Sequence, residues 1–165
     1  MDETDSEIGK ERDMIAAITL DQKSLGRANV NVEHEREVAI FDILDGNSFR
    51  VEGIDQGPYK LNLSVADDRL QFAISRQDDE AVAQHQVPLT PLKRVIKDYF
   101  FVCESYYDAV RTAPPARIQA IDINRRTLHD EGSQILVDKL AGKIVVDADT
   151  ARRLFTLVCA LHWKG

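Results

Sequence analysis

Only two of the 165 residues are cysteine, and Cys103 and Cys159 each sit in an apolar stretch of helical period rather than in a loop framework. Such thiols fit a reduced cytosolic core, although a pair still permits one disulfide. Glycine is scarce as well, eight in all, several of them at turns or helix stops. No GxGxxG, GxxxxGK(S/T) or GxSxG string occurs, so no phosphate cradle or nucleophile elbow is readable. The absence of CxxC and HExxH removes the common zinc signatures. Long apolar runs are missing too. Residues 14–20 are too short for a signal-peptide core and follow an acidic segment, and residues 154–163 are about half of the ~20 residues that a membrane span needs. A soluble cytoplasmic chain without membrane contact is expected. Basic charge is in deficit, with 21 Lys and Arg against 28 Asp and Glu and a net charge of −7. A whole-molecule basic footprint for nucleic acid or anionic lipid is therefore lacking.

What is present is ordinary for one globular domain: 44% hydrophobic and 30% charged residues. The charge is uneven. Residues 1–90 carry a net −10 and residues 91–165 a net +3. Residues 1–13 (MDETDSEIGKERD) hold six acids and, besides Met1, a single large apolar side chain, too little to offset chain entropy. They read as a disordered acidic tail before a single domain over residues 14–165.

Hydropathy periods set the elements. Residues 14–20 read as a strand and residues 21–32, with Gly26, Asn29 and Asn31, as a polar loop. Over residues 33–44, Val38, Ile40, Phe41 and Leu44 fall near helical spacing, with Glu33, Glu35 and Glu37 at the positive end of the dipole and Gly46-Asn47 as the stop. Residues 49–51 make a short strand. Tyr59, Leu61, Leu63 and Val65 then alternate with Lys60, Asn62 and Ser64, and acidic turns link them to Leu70, Phe72 and Ile74 and to residues 81–89. This is a three-stranded meander with one apolar face. From Thr90, read as an N-cap before Pro91, the residues Leu92, Val95, Ile96, Tyr99, Phe100, Cys103, Tyr106, Tyr107 and Val110 trace one helical face. Ala113-Pro114-Pro115 opens a helix over residues 116–131 stopped by Gly132, and a shorter one over 134–140 stops at Gly142. A strand at 143–146 precedes a last helix, capped by Asp147 or Asp149, with Ala151, Leu154, Phe155, Val158, Leu161 and His162 as its stripe.

This order predicts an α+β domain, an antiparallel sheet made of the meander plus one or two extra strands, covered on one face by four to five helices. Phe101, Val102, Leu157 and Cys159 are apolar off the stripes. Helices of that kind are sandwiched in a core or buried at a subunit contact, so a homodimer is one expectation.

Chemistry-bearing residues cluster twice. In the string from Arg125 to Gly132 one helical turn separates Arg125 from His129 and Arg126 from Asp130, so a guanidinium, an imidazole and a carboxylate can share one side. An enzyme or anion binder would hold a phosphate or carboxylate with Arg125 and Arg126, move protons through His129 and orient it with Asp130 or Glu131. An exposed helix end laced with ion pairs is the plainer reading. The second cluster is Glu33-His34-Glu35-Arg36, a solvated helix start or, if folding brings His34, Glu35 and Arg36 close, further walls of the same site. His85, beside Ala83, Val87 and Leu89, and His162, three residues after Cys159, read first as core histidines. The basic residues after position 90 want exposed aromatics if they are to bind nucleic acid, but Tyr99, Phe100, Tyr106 and Tyr107 fall on the core stripe. Nucleic acid is disfavoured, and neither metal nor cofactor is expected.

The strings SLGRANVNVEHEREVAIFDILDGNSF, GPYKLNLS, LTPLKRVIKDYFFVCESYYDAVRTA, AIDINRRTLHDEGSQ and DTARRLFTLVCALHW together resemble an uncharacterised alphaproteobacterial protein family of unknown function. The resemblance runs from about residue 15 to the C-terminus. It implies a small bacterial cytoplasmic protein and transfers no catalytic or binding residue. The sequence thus predicts a non-enzymatic module that binds a protein partner or itself. The alternative is a small enzyme or phosphate/carboxylate binder at Arg125, Arg126, His129, Asp130 and Glu131, and the spacing of the two clusters in the fold separates these readings.

Overall fold

The computed structural model describes residues 12–21 and 30–162. Among them the order is β1 (Ile15–Leu20), α1 (Val30–Asp45), β2 (Phe49–Val51), β3 (Tyr59–Ala66), β4 (Arg69–Arg76), β5 (Ala81–Pro88), α2 (Thr90–Thr112), α3 (Pro115–Leu140), β6 (Ile144–Val146) and α4 (Ala148–His162). The meander forms as the alternation predicts, β3 antiparallel to β4 and β4 to β5. Asp67 and Asp68 both take positive φ, 55° and 57°, in the two-residue turn, the conformation that matches strand twist. Tyr59, Leu61, Leu63, Leu70, Phe72 and Ile74 are buried under the helices, while Asn62, Gln71 and Ala73 face the opposite, open side.

The expected antiparallel sheet is corrected to a mixed one. Its order is β1-β3-β4-β5, and β1 runs parallel to β3 with Ile18 opposite Leu61 and Leu20 opposite Leu63. The cause is the connection: α1 carries the chain back between the two strands, and a strand–helix–strand crossover delivers parallel neighbours. The strands β2 and β6 stay out of this sheet and pair antiparallel with each other.

Helices number four among the described residues, because the two expected over 116–131 and 134–140 are one, α3. Gly132 lies buried in its interior, where a Cβ would overlap the Phe155 ring, so this glycine permits close approach of α3 to α4 rather than a stop. Gly142, at φ +81°, follows the end of α3 as expected. Thr90 lies inside α2, and Leu89 holds the N-cap position without a side-chain bond. Asp147 caps α4, its carboxylate accepting from the Thr150 N–H at 3.1 Å.

The face of α1 is also rotated from the expected one. Ala39 and Ile43 are buried, whereas Val38, Phe41 and Leu44 are 43%, 70% and 44% exposed. Helix α4 is central, packed against α1, α3 and β3, which is why Leu157 and Cys159 are buried along with its stripe. Phe101, by contrast, is 71% exposed. Of the expected tail and loop, residues 1–11 and 22–29 lie outside the described residues. Arg12 pairs with Asp55 at 3.2 Å, and the Asp13 carbonyl accepts from Phe49 N–H at 2.9 Å. No described helix is long and apolar enough to cross a membrane.

Candidate functional site

Helical spacing splits the 125–131 cluster into two rows. Arg125 and His129 are partly buried, while Arg126, Asp130 and Glu131 face solvent. Arg125 donates to Asp122 Oδ1 through Nε and a terminal nitrogen at 3.2 and 2.6 Å, and its guanidinium carbon stands 4.3 Å from the Tyr106 ring centroid. Arg126 shares Asp122 at 2.9 Å. The hydrogen bonds from Arg125 hold the Asp122 carboxyl below its ordinary range, with both guanidiniums adding charge attraction. Burial works against the Arg125 cation, and Asp122 more than offsets it.

His129 is clamped edge-to-face between Tyr99 and Phe155, with ring centroids 5.3 and 5.1 Å away. Its Nε2 lies 2.8 Å from Thr156 Oγ1. Thr156 donates its own proton to the Arg152 carbonyl at 3.2 Å, which makes His129 the donor in the Nε2–H tautomer. Burial pushes the imidazole pKa down to about 4, opposed by Asp130 and reinforced by Arg152 and Arg125. An imidazole that weakly basic is a poor proton acceptor at neutral pH. On the solvent side Asp130 lies 3.7 Å from Arg152, and Glu131 lies 3.0 Å from Arg94.

From the other cluster only Glu35 reaches inward. It accepts a 2.8 Å hydrogen bond from Tyr107 Oη. Burial first, and the Glu35 charge with it, raises the pKa of Tyr99 and of Tyr107 and lifts the Cys103 thiol to about 11. Arg125 opposes this at Cys103 and Tyr107. Glu35, Arg125 and His129 thus each meet an aromatic side chain of α2, Glu35 at Tyr107, Arg125 at Tyr106 and His129 at Tyr99, while the other candidates stay outside. His34 is exposed and, with Val38, Asp42, Tyr99, Arg153 and Thr156, lines an open groove of about 300 Å³. Arg153 in that groove is committed, donating to the carbonyls of Asp42 (3.4 Å) and Gly46 (3.1 Å) at the C-terminal end of α1. Arg36 is half-buried and has no partner among the described residues.

Both cysteines are free, and burial pushes the Cys159 thiol well above the usual thiol range. His85 is half-buried opposite Phe72. Among the described residues no three His, Cys, Asp or Glu side chains are grouped to hold a metal ion. Asp122 and Thr156 are the partners that sequence reading missed. The first was discoverable from its spacing of three and four to the two arginines, and the second, 27 residues from His129, left no local signal. Chemically the cluster is a tie between α1, α2, α3 and α4, in which the guanidiniums of Arg94, Arg125, Arg126 and Arg152 already face carboxylates.

A family model described as an uncharacterised protein family (UPF0262) matches residues 12–164. A UPF0262 protein of Mesorhizobium japonicum is 58% identical over 149 residues, 90% of this chain and 92% of its own. One of Agrobacterium fabrum is 56% identical over 142 residues, covering 86% and 90%, and one of Rhodopseudomonas palustris is 51% identical over 154 residues, covering 93% and 94%. No solved structure matches.

Proposed function

The chain belongs to this uncharacterised family, and we propose that it serves as a non-enzymatic cytoplasmic module that docks a protein partner. The observation that carries the reading is the outer row of α1, where Val38, Phe41 and Leu44 stand exposed at 43%, 70% and 44%. Single exposed apolar residues are ordinary surface, whereas a contiguous row on one helix marks a contact. Glu37 and Asp45 are exposed on the same helix, so the fitting partner is apolar at its centre and basic at its rim. The acidic tail over residues 1–13 adds a net −4 ahead of the domain over residues 14–165. Paired guanidiniums and a weakly basic His129 support the non-enzymatic part. Crosslinking and pull-down from native extract compares the wild type with Phe41→Glu. A protein captured by the first and lost by the second, at unchanged melting temperature, is the expected result; equal capture by both defeats the reading.

The alternative, a small enzyme or a phosphate or carboxylate site, has the meeting of Glu35, Arg125 and His129 with α2 in its favour. Inorganic phosphate and divalent metals in a thermal-shift series separate the two. Docking predicts no rise in melting temperature, and a rise that His129→Ala abolishes favours the alternative.

A further inference from the structure

The strand edges of an open sheet expose main-chain N–H and C=O groups that natural proteins cover or guard. The two edges here differ. Strand β5 ends in Pro88, and Lys143 Nζ donates to the Gln86 carbonyl at 3.4 Å. Among the described residues strand β1 is covered at its start, where the Asn47 side chain accepts from Ile15 N–H at 2.7 Å and donates to the Ile15 carbonyl at 3.0 Å, and where the register shifts before Ala17. Past that point Ile18 pairs with Leu61 and Leu20 with Leu63, and Asp21 N–H donates to the Leu63 carbonyl. In a parallel ladder this phase turns the N–H and C=O of Thr19 toward β3 and those of Ile18 and Leu20 away from it. The strand, IAAITL, contains neither charge nor proline.

We propose that this edge pairs antiparallel with β1 of a second copy of the chain, about a two-fold axis through Thr19. The inference goes beyond the docking reading and uses a different surface. About that axis Ile18 of one copy faces Leu20 of the other, and each pair exchanges N–H···O=C bonds, four in all, which satisfies every outward group from Ile18 to Leu20. Thr19 meets Thr19 across the axis on the open face of the sheet, a small β-branched pair without like charges. Ile18 is buried and Leu20 packs against the core, so their side chains meet on the helix-covered side. A slip of one residue would set Ile18 against groups already spent on β3, which excludes odd shifts of register, and the Thr19 axis is the one that pairs both Ile18 and Leu20. An isologous contact requires that residue i meets j while j meets i, and this uncharged strand, with its two outward residues flanking one threonine, meets that requirement. The result is a continuous eight-stranded sheet. The open concavity of about 660 Å³ that Thr19, Asn62 and Ala73 line continues across the axis. A contact of this extent belongs to the weak, concentration-dependent class.

Sedimentation of the full chain over a concentration series, with amide exchange read at Ile18, Thr19 and Leu20, tests it. Thr19 is exposed, and Thr19→Lys sets two ammonium groups face to face on the axis. The wild type is expected to sediment as a dimer when concentrated and to dissociate on dilution. Ile18 and Leu20 amides gain protection with concentration, while Thr19 is protected throughout. Thr19→Lys loses the dimer at unchanged melting temperature, and Thr19→Ser keeps it. A monomer at every concentration, a dimer that survives Thr19→Lys, or Ile18 and Leu20 protected in the monomer overturns the proposal. Phe41→Glu leaves the dimer intact, so failure here and failure of the docking reading are told apart.

Discussion

His129 is the residue whose environment is most sharply written into solution behaviour. Its folded pKa of about 4 lies below the ordinary 6.5, chiefly because it is buried between Tyr99 and Phe155. Below the ordinary value the unfolded chain takes up a proton that the folded one refuses, so stability falls with falling pH and levels off near the folded value. The expected loss is roughly 1.4 kcal/mol per pH unit between about pH 6.5 and 4. Denaturant unfolding across that window reads it, and His129→Gln flattens the slope; an unchanged slope in the variant means that another group titrates. Tyr107 makes a second case. Tyr107→Phe leaves the partly buried Glu35 without its 2.8 Å donor, and a loss of about 1–3 kcal/mol is expected from chemical unfolding. A loss near zero indicates that water replaces the phenol. The sequence placed Glu35 and His129 among the candidates, but what they touch was hidden, since Tyr107 is 72 residues from Glu35 and Thr156 is 27 from His129.

Helix α3 shows where local rules and packing disagree. Gly132 reads as a stop because glycine is a poor helix former, and on propensity alone Gly132→Ala would stabilise an uninterrupted helix by about 1 kcal/mol. The structure reverses the sign. The added methyl enters the Phe155 ring, and overpacking of this kind costs about 1–3 kcal/mol. A raised melting temperature in Gly132→Ala would show that α3 and α4 do not meet there. The same logic governs α1, whose apolar residues Val38, Ile40, Phe41 and Leu44 suggested one buried stripe, while Ala39 and Ile43 hold the core. Periodicity announces a helix but not which neighbour it meets, and α1 is oriented by contacts with α4 and β1 that no local window contains. The meander was legible because its partners are adjacent in sequence. The parallel pairing of β1 with β3 was not, because it depends on where α1 lays the returning chain.

Across the whole molecule burial is distributed as unevenly as charge. Helix α4 buries nine residues, from Thr150 to Leu161, and packs against α1, α3 and β3. No residue of 115–131 in α3 is fully buried, His129 only partly so near the α4 end of this stretch, and beyond Cys103 helix α2 fully buries only Ala109. The distal part of the α2–α3 hairpin is therefore held to the rest by few apolar contacts and, within itself, by Arg125 over Tyr106 and against Asp122. Regions with sparse burial open without global unfolding. Native-state hydrogen exchange is thus expected to show amides of residues 117–127 exchanging through local opening, while those of residues 154–161 require the global transition. Arg125→Ala should speed exchange in the first group and leave the second nearly unchanged, because the pair it breaks is internal to the hairpin. If both groups slow and quicken together, the hairpin is part of a single cooperative unit. In that event the burial it lacks within one chain has to come from a contact that the isolated chain does not show.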